Sequence, residues 1–172
     1  MRNQSVILVE GETEKSLFRS LNCVTNQIII ANCWQVDPGK LIRRLRRFSR
    51  KVEIFVVFDT DRLENLDRFT NCVRHLAKNC SRLYLLQQIH NLEEELIFSC
   101  DLIQNKRDLY RAFGKSSKNQ FKAKFNQSNG RLEILERQGL NRNRLWSRNL
   151  INGLESLPSK KIIKRSSSTV LR

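Results

Sequence analysis

Four acidic side chains stand where two apolar segments of the chain end, and together they could bind a metal ion. Glu10 follows the first apolar run, and Asp59 and Asp61 follow the third. Glu14 lies four residues after Glu10, at the start of a predicted helix. Carboxylate oxygens suit Mg²⁺ and Mn²⁺, and converging carboxylates repel one another unless a cation lies between them. We therefore expect these four acids to form a catalytic site that holds a divalent metal ion.

The alternation of apolar runs and amphipathic segments determines where the acids lie. Buried strands are predicted at Ser5–Val9, Gln27–Ala31, Val52–Phe58 and Arg82–Leu86. Helices are predicted at Thr13–Leu21, Lys40–Lys51, Leu66–Asn79 and Leu92–Cys100. This order is typical of an α/β fold with a four-stranded, mostly parallel sheet and helices on both faces. Because ligands bind beyond the carboxyl ends of such strands, we expect the acids to meet at one edge of the sheet.

The chain changes character after Asp101. Residues 1–101 contain the alternation of strands and helices and are expected to form the α/β domain. Residues 102–158 are rich in Lys, Arg, Asn and Gln, and we expect a basic, mainly helical extension packed on that domain. Residues 159–172 are expected to form a flexible basic tail.

Positive charge is concentrated in two parts of the sequence. The 172-residue chain has a formal net charge of +15 and a pI of about 10.2. Residues 40–51 hold seven basic and no acidic side chains, and residues 102–172 hold 17 basic and four acidic ones. A charge of this size favours a polyanionic partner such as nucleic acid. The candidate phosphate contacts are Lys15, Arg43, Arg44, Arg46, Arg47, Arg50, Arg62, Lys118, Lys122 and Lys124.

The acidic motifs resemble those of the Toprim domain. Val9–Glu14 is similar to its Glu-Gly motif after the first strand, and Phe58–Asp61 is similar to its Asp-x-Asp motif after the third. The Glu-Gly-x-Thr-Glu form is most similar to the Toprim nucleases of the OLD family and to small RloB-like and retron-associated proteins of bacterial defence. Asn91–Leu96 is similar to the Asn-x-x-x-Glu stretch of the RloB-like group, in which Glu95 matches the glutamate. The resemblance covers residues 5–100.

The resemblance implies a Toprim-like, Rossmannoid fold and a metal-dependent nuclease. In that family pattern Glu10 is a metal-linked acid/base residue, and Asp59 and Asp61 are metal ligands. Glu14 and Glu95 are further candidate ligands of Mg²⁺ or Mn²⁺. The implied substrate is DNA or RNA, and the implied role is that of an effector in anti-phage defence. By analogy, a protein partner such as an ATPase or a reverse-transcriptase complex would restrain it.

Two other functions fit parts of the sequence. A phosphatase resembling the haloacid dehalogenase class also places Asp-x-Asp after an apolar strand, with the first aspartate as nucleophile. That alternative leaves the Glu10–Gly11 pair unexplained. A non-catalytic nucleic-acid-binding subunit of a larger complex would account for the positive charge alone.

The composition also bears on the compartment of the protein. No apolar run reaches the roughly 18 residues of a membrane-spanning helix. The apolar run near Met1 stops at Glu10, which is too short for a signal peptide. The five cysteines are odd in number and form no Cys-x-x-Cys motif, so buried free thiols are expected. We therefore expect a cytoplasmic protein that does not associate with membranes.

Overall fold

A computed structural model shows an α/β fold around a five-stranded parallel sheet. The structure describes residues 4–21, 27–48, 52–61, 65–154, 157 and 162–163. The strands are β1 (Ser5–Val9), β2 (Gln27–Ile30), β3 (Glu53–Asp59), β4 (Arg82–Gln88) and β5 (Ile162–Ile163). Their order in the sheet is β2-β1-β3-β4-β5. The predicted fold class is confirmed, with one strand more than the four expected.

Seven α-helices accompany the sheet in the described ranges. They are α1 (Glu12–Ser20), α2 (Pro38–Leu45), α3 (Leu66–Lys78), α4 (Leu92–Ser99), α5 (Lys106–Ala112), α6 (Lys118–Gln127) and α7 (Arg131–Arg137), followed by a 3₁₀ turn at Arg142–Arg144. Helices α2 and α3 cover one face of the sheet, and α1 and α4 cover the other. No helix among the described residues is both long enough and apolar enough to span a membrane.

The sheet separates two apolar cores because its central strands are buried on both faces. The α2/α3 core contains Val56 and Phe58 of β3, and the α1/α4 core contains the alternate residue Val57. The α1/α4 core continues into the C-terminal extension, where Trp146 is 1% exposed and stacks on Phe18 of α1 at 4.8 Å. The extension therefore shares a core with the sheet.

Arg131 fastens the extension to α1. Its guanidinium donates hydrogen bonds to the Ser16 carbonyl and the Ser20 hydroxyl of α1. It also donates to the carbonyls of Phe125 and Asn126 in the last turn of α6. Carbonyls near a helix C-terminus lack partners within the helix, and one planar guanidinium satisfies several of them at once. This arrangement fixes α6 beside α1.

Strand β5 comes from the segment that was expected to be a flexible tail. Ile162 pairs with Leu83 and Ile163 pairs with Tyr84, both on β4. A pair of isoleucines among lysines and serines is too short to predict a strand, because pairing with an existing sheet edge supplies most of its stability. The other residues of the predicted tail lie outside the described residues.

The described cysteines agree with the prediction of free thiols. Cys33, Cys72, Cys80 and Cys100 are buried and form no disulfide. Cys23 lies outside the described residues. Burial raises the pKa of the Cys100 thiol to about 12, which makes it a poor nucleophile.

The order of the strands reverses between β1 and β3. The chain runs from β1 outward to β2 and then returns to β3 on the other side of β1, while α1 and α2 lie on opposite faces. In open parallel sheets, such a reversal leaves a crevice at the carboxyl ends of the two strands. Glu10 follows β1 and Asp59 ends β3, so the folding topology places both acids at this crevice.

Candidate metal centre

Glu10 and Asp59 are neighbours at the crevice. The main-chain N–H of Asp59 donates a hydrogen bond of 3.1 Å to Oε1 of Glu10, across 49 residues of sequence. Asn32, just after β2, donates from Nδ2 to Oε2 of Glu10 at 3.0 Å. The Oδ1 of Asn32 accepts from the N–H of Trp34 at 2.9 Å, which fixes the amide. Glu10 is thus held from two sides.

Asp59 lies at the centre of a group of acids. Its pKa is raised to about 9, first by loss of solvation and then by the negative charges of Glu10, Glu14, Asp61 and Glu93. These five residues are called the acidic cluster below. The Oδ1 atom of Asp59 is buried and has no hydrogen-bond partner among the described residues. Such a carboxyl group is neutral at pH 7 unless a cation takes the place of its proton.

Glu14 reaches the acidic cluster from the first turn of α1. Its side chain is 7% exposed, and burial raises its pKa, while its own main-chain N–H and the charge of Lys122 act in the opposite direction. An Oε2 atom of Glu14 lies 3.2 Å from the position that a Cβ on residue 11 would occupy. A side chain at residue 11 would therefore have to displace the Glu14 carboxylate by a few tenths of an ångström, which Gly11 avoids.

Glu93 brings a fifth carboxylate from the first turn of α4. Its side chain is 2% exposed, and within the described part of the chain its buried Oε1 makes no hydrogen bond. The ammonium groups of Lys122 and Lys118 on α6 lie 3.7 and 3.9 Å from that oxygen. These lysines supply the positive charge next to the acidic cluster.

The structure places Glu95 away from the acidic cluster, contrary to its candidacy as a metal ligand. Glu95 is fully buried, and its two oxygens accept hydrogen bonds from the main-chain N–H of Trp146 and from the Arg148 guanidinium. Residues two apart on a helix point to different sides, so Glu93 and Glu95 cannot both face the crevice. Of these two acids, Glu93 is the one whose charge contributes to the raised pKa of Asp59.

Two hydrogen bonds hold the turn that carries Asp61. The N–H of Thr60 donates to the carbonyl of Gln88 at 3.1 Å, and the N–H of His90 donates to Oγ1 of Thr60 at 2.9 Å. His90 has a φ of 64°, a conformation that costs a non-glycine residue about 1 kcal/mol. The turns after β3 and β4 are therefore linked between Asp59 and Asp61, and the side chain of Asp61 is exposed.

Of the three lysines on α6 that were predicted to contact phosphate, two lie beside an acid of the acidic cluster. Lys118 and Lys122 pair with Glu93. Lys124, two residues after Lys122, is exposed. Helix α6 thus presents two lysines to the acids and a third to solvent.

The predicted arginine contacts on α2 lie along the outer edge of the sheet. The Arg44 guanidinium contacts the carbonyl of Ile30 at 3.5 Å, and Arg47 donates to Oε1 of Gln27 at 2.6 Å. These two side chains cover the edge strand β2. Of the remaining predicted contacts, Lys15 pairs with Glu12, Arg43 and Arg46 are exposed, and Arg50 and Arg62 lie outside the described residues.

The chemistry of the acidic cluster suits a hard divalent cation. Buried oxygens of Asp59 and Glu93 lack hydrogen-bond partners in the described ranges. Among the described residues, no three His, Cys, Asp or Glu side chains are arranged so that they could jointly hold a metal ion. Mg²⁺ usually keeps several waters and binds through only one or two carboxylates. The donor set therefore fits a partly hydrated ion.

Two residues of the site gave no specific signal in the sequence. Asn32 is a lone asparagine after a strand, and its bond to Glu10 depends on the pairing of β1 with β2. Glu93 is one of three consecutive glutamates, so its role depends on the rotation of α4 about its axis. Helical periodicity shows that Glu93 and Glu95 lie on different sides of α4, but it does not show which side faces the crevice.

Comparisons with known protein families, curated proteins and solved structures find no match to this chain. The interpretation of the site therefore depends on its own residues and their geometry.

Proposed function

We propose that the protein is a nuclease that depends on Mg²⁺ or Mn²⁺. The observation that carries the proposal is the hydrogen bond that joins Asp59 to Glu10 at the carboxyl ends of β3 and β1, where the charges of Glu14, Asp61 and Glu93 also raise the pKa of Asp59. Negative charges that raise the pKa of the Asp59 carboxyl group reduce stability, so their convergence on that residue favours a functional role. The motifs that supply four of the five acids are also those that resemble Toprim nucleases.

The residues of the acidic cluster have distinct roles in this proposal. A divalent cation in the site would neutralise a scissile phosphate and lower the pKa of a bound water. Asp59 and Asp61 would hold the cation, and Glu14 and Glu93 would add negative charge from the α1/α4 face. Glu10, oriented by Asn32 and by the main chain of Asp59, would take a proton from the attacking water and pass it to the oxygen that leaves phosphorus.

The lysines of α6 give the site its affinity for a polyanion. Lys118 and Lys122 are each partly exposed beside Glu93, so they can contact solvent and the acidic cluster together. A phosphodiester bound at these lysines would be placed next to the acids. Since the contacts are with phosphate, binding to DNA or RNA is expected to be salt-sensitive and to depend little on base sequence.

The cellular role follows the resemblance to small defence nucleases. We propose an effector in anti-phage defence that acts in the cytoplasm. A protein partner, such as an ATPase or a reverse-transcriptase complex, would restrain the nuclease until infection. Co-purification of such a partner that suppresses cleavage in vitro would support this role.

Cleavage assays on three substrates test the proposal. The purified protein is incubated with Mg²⁺ or Mn²⁺ and plasmid DNA, single-stranded DNA or tRNA, and EDTA is expected to stop cleavage. Glu10→Gln and Asp59→Asn are each expected to lower the rate by about 10²-fold or more. Glu12→Gln is the matched control, because Glu12 is 58% exposed on the same motif and pairs only with Lys15 among the contacts described.

Other outcomes identify the alternatives. Cleavage that survives in Asp59→Asn would point to a contaminant and to a protein that binds nucleic acid without cutting it. Transfer of labelled phosphate to Asp59 from a phosphomonoester would favour the phosphatase.

A further inference from the structure

Gln88, the last residue of β4, has a fully buried side-chain amide. Its side chain is 0% exposed, and neither Oε1 nor Nε2 makes a hydrogen bond within the described residues. Burying an amide in this state is unfavourable. Leu85 and Leu86 precede it on the strand, so the sheet accepts apolar side chains here. The buried amide indicates a ligand that has yet to be assigned.

The side chain of Gln88 lies on the same face of the sheet as the Asp59 carboxylate. The two residues are paired in register on β4 and β3, which are neighbouring parallel strands. Side chains alternate along a strand, and the residues two positions earlier, Leu86 and Val57, both belong to the α1/α4 core. The buried oxygens of Asp59 and Glu93 share the lack of a hydrogen-bond partner in the described part of the chain.

The preceding residue, Gln87, shows that burial in this strand need not leave an amide unsatisfied. Its Nε2 donates to the carbonyl of Asn149 at 2.7 Å, and its Oε1 accepts from the N–H of Ile151 at 2.8 Å. Its side chain is 1% exposed, nearly the same as that of Gln88. Gln87 therefore fastens the C-terminal segment on the opposite face, while Gln88 faces the acids.

We propose that Gln88 is a neutral ligand of the cation held by the acidic cluster, bound through Oε1. This inference rests on the proposed function. An amide oxygen is a hard donor suited to Mg²⁺ and Mn²⁺. It adds no negative charge where carboxylates already repel one another.

Mn²⁺ titration by calorimetry and thermal unfolding in EDTA test the proposal together. Gln88→Met keeps the size of the side chain and removes its polar atoms. It is expected to weaken Mn²⁺ binding at least about tenfold and to raise the melting temperature of the metal-free protein. Gln88→Glu restores an oxygen donor and is expected to bind Mn²⁺. Gln87→Met is the matched control, with a lower melting temperature and unchanged Mn²⁺ affinity.

The outcomes separate this inference from the proposed function. If Gln88→Met binds Mn²⁺ as tightly as the wild type while Asp59→Asn does not bind, Gln88 is not a ligand and the proposed function stands. If Gln88→Met melts at a lower temperature than the wild type in EDTA, the amide has a partner in the protein and the inference is wrong. If the wild type binds no Mn²⁺, both are wrong.

Discussion

The main-chain N–H of Asp59 donates a hydrogen bond to the carboxylate of Glu10, so a proposed metal ligand at the end of β3 is joined to the proposed proton acceptor after β1. The Glu10 oxygens accept from the main chain of Asp59 and from the side-chain amide of Asn32. The same contact therefore shapes the crevice and orients a catalytic group.

Asp59→Asn is expected to abolish metal-dependent cleavage and to stabilise the metal-free protein. At pH 7 the folded state must hold a proton on Asp59 or tolerate its charge among four other acids, and asparagine removes that cost. We expect a gain of about 1 kcal/mol in the free energy of unfolding, or about 2–4 °C in Tm. Calorimetry in EDTA measures it.

Asp67→Asn is the control for this substitution, since Asp67 is exposed in the first turn of α3. It is expected to leave the cleavage rate unchanged and not to raise the Tm of the metal-free protein. A lower Tm for metal-free Asp59→Asn would contradict the view that the acidic cluster is held at a cost in stability.

The metal-free protein is expected to lose stability as the pH rises. Below pH 3.8 Asp59 is protonated in both the folded and the unfolded state and has no effect. Between pH 3.8 and about 9 the folded state holds a proton that the unfolded state has released, so the free energy of unfolding falls through this range. Urea unfolding in EDTA measures the free energy of unfolding of the wild type and of Asp59→Asn at each pH. The difference between the two pH dependences is the contribution of Asp59.

Added Mn²⁺ is expected to reverse this trend, because metal binding displaces the proton and strengthens as the pH rises. The increase in Tm caused by Mn²⁺ should be larger at pH 8 than at pH 6. An increase that is the same at both pH values would show that Asp59 binds no metal.

The strands and the acids at their ends could be predicted because each depends on a short stretch of sequence. Uninterrupted apolar runs predicted the four main strands, and an acid at the end of a strand needs no knowledge of distant contacts. For the same reason the sequence placed Glu10 and Asp59 at one edge of the sheet, where they are found in contact. The C-terminal helices followed from composition and spacing.

The features that were missed depend on contacts between distant segments. The polar pair Gln87–Gln88 ends the apolar run, so β4 was predicted to stop at Leu86, whereas pairing with β3 carries the strand two residues further. The choice between Glu93 and Glu95 depends on how α4 packs on the sheet and on Arg148, which lies 53 residues after Glu95.

Replacing Asn32 with alanine is expected to lower the cleavage rate by about 10–100-fold. The substitution removes the donor that holds Oε2 of Glu10, so the carboxylate can rotate away from the reacting water. Asn105→Ala is the control, because Asn105 caps α5 through the N–H of Asp108 instead of contacting Glu10, and its loss costs about 1 kcal/mol of stability. Equal rates for the two variants would mean that Asn32 has only a structural role.

Glu95→Gln is expected to destabilise the protein by about 1–3 kcal/mol without changing Mn²⁺ affinity. The substitution leaves the Arg148 guanidinium, which is 20% exposed, without its charged partner. Urea unfolding measures the loss of stability, and calorimetric titration measures the Mn²⁺ affinity. The double variant Glu95→Gln/Arg148→Met should lose much less free energy of unfolding than the sum of the losses in the two single variants. A loss of Mn²⁺ affinity with unchanged stability would restore Glu95 as a ligand.

Lys122→Gln is expected to lower turnover by about tenfold and to move the acid limb of the pH–rate profile to higher pH. The charge of Lys122 lowers the pKa of Glu14, so its removal lets that pKa rise and keeps the carboxyl group protonated at a higher pH. Lys124→Gln removes the same charge from an exposed site on α6. Both lysine variants should release about one counterion fewer on binding nucleic acid, which lowers the salt dependence of binding. Lys124→Gln should leave the turnover rate and the position of the acid limb unchanged. If both variants show the same turnover and the same acid limb, Lys122 acts only as a phosphate contact and has no influence on the acidic cluster.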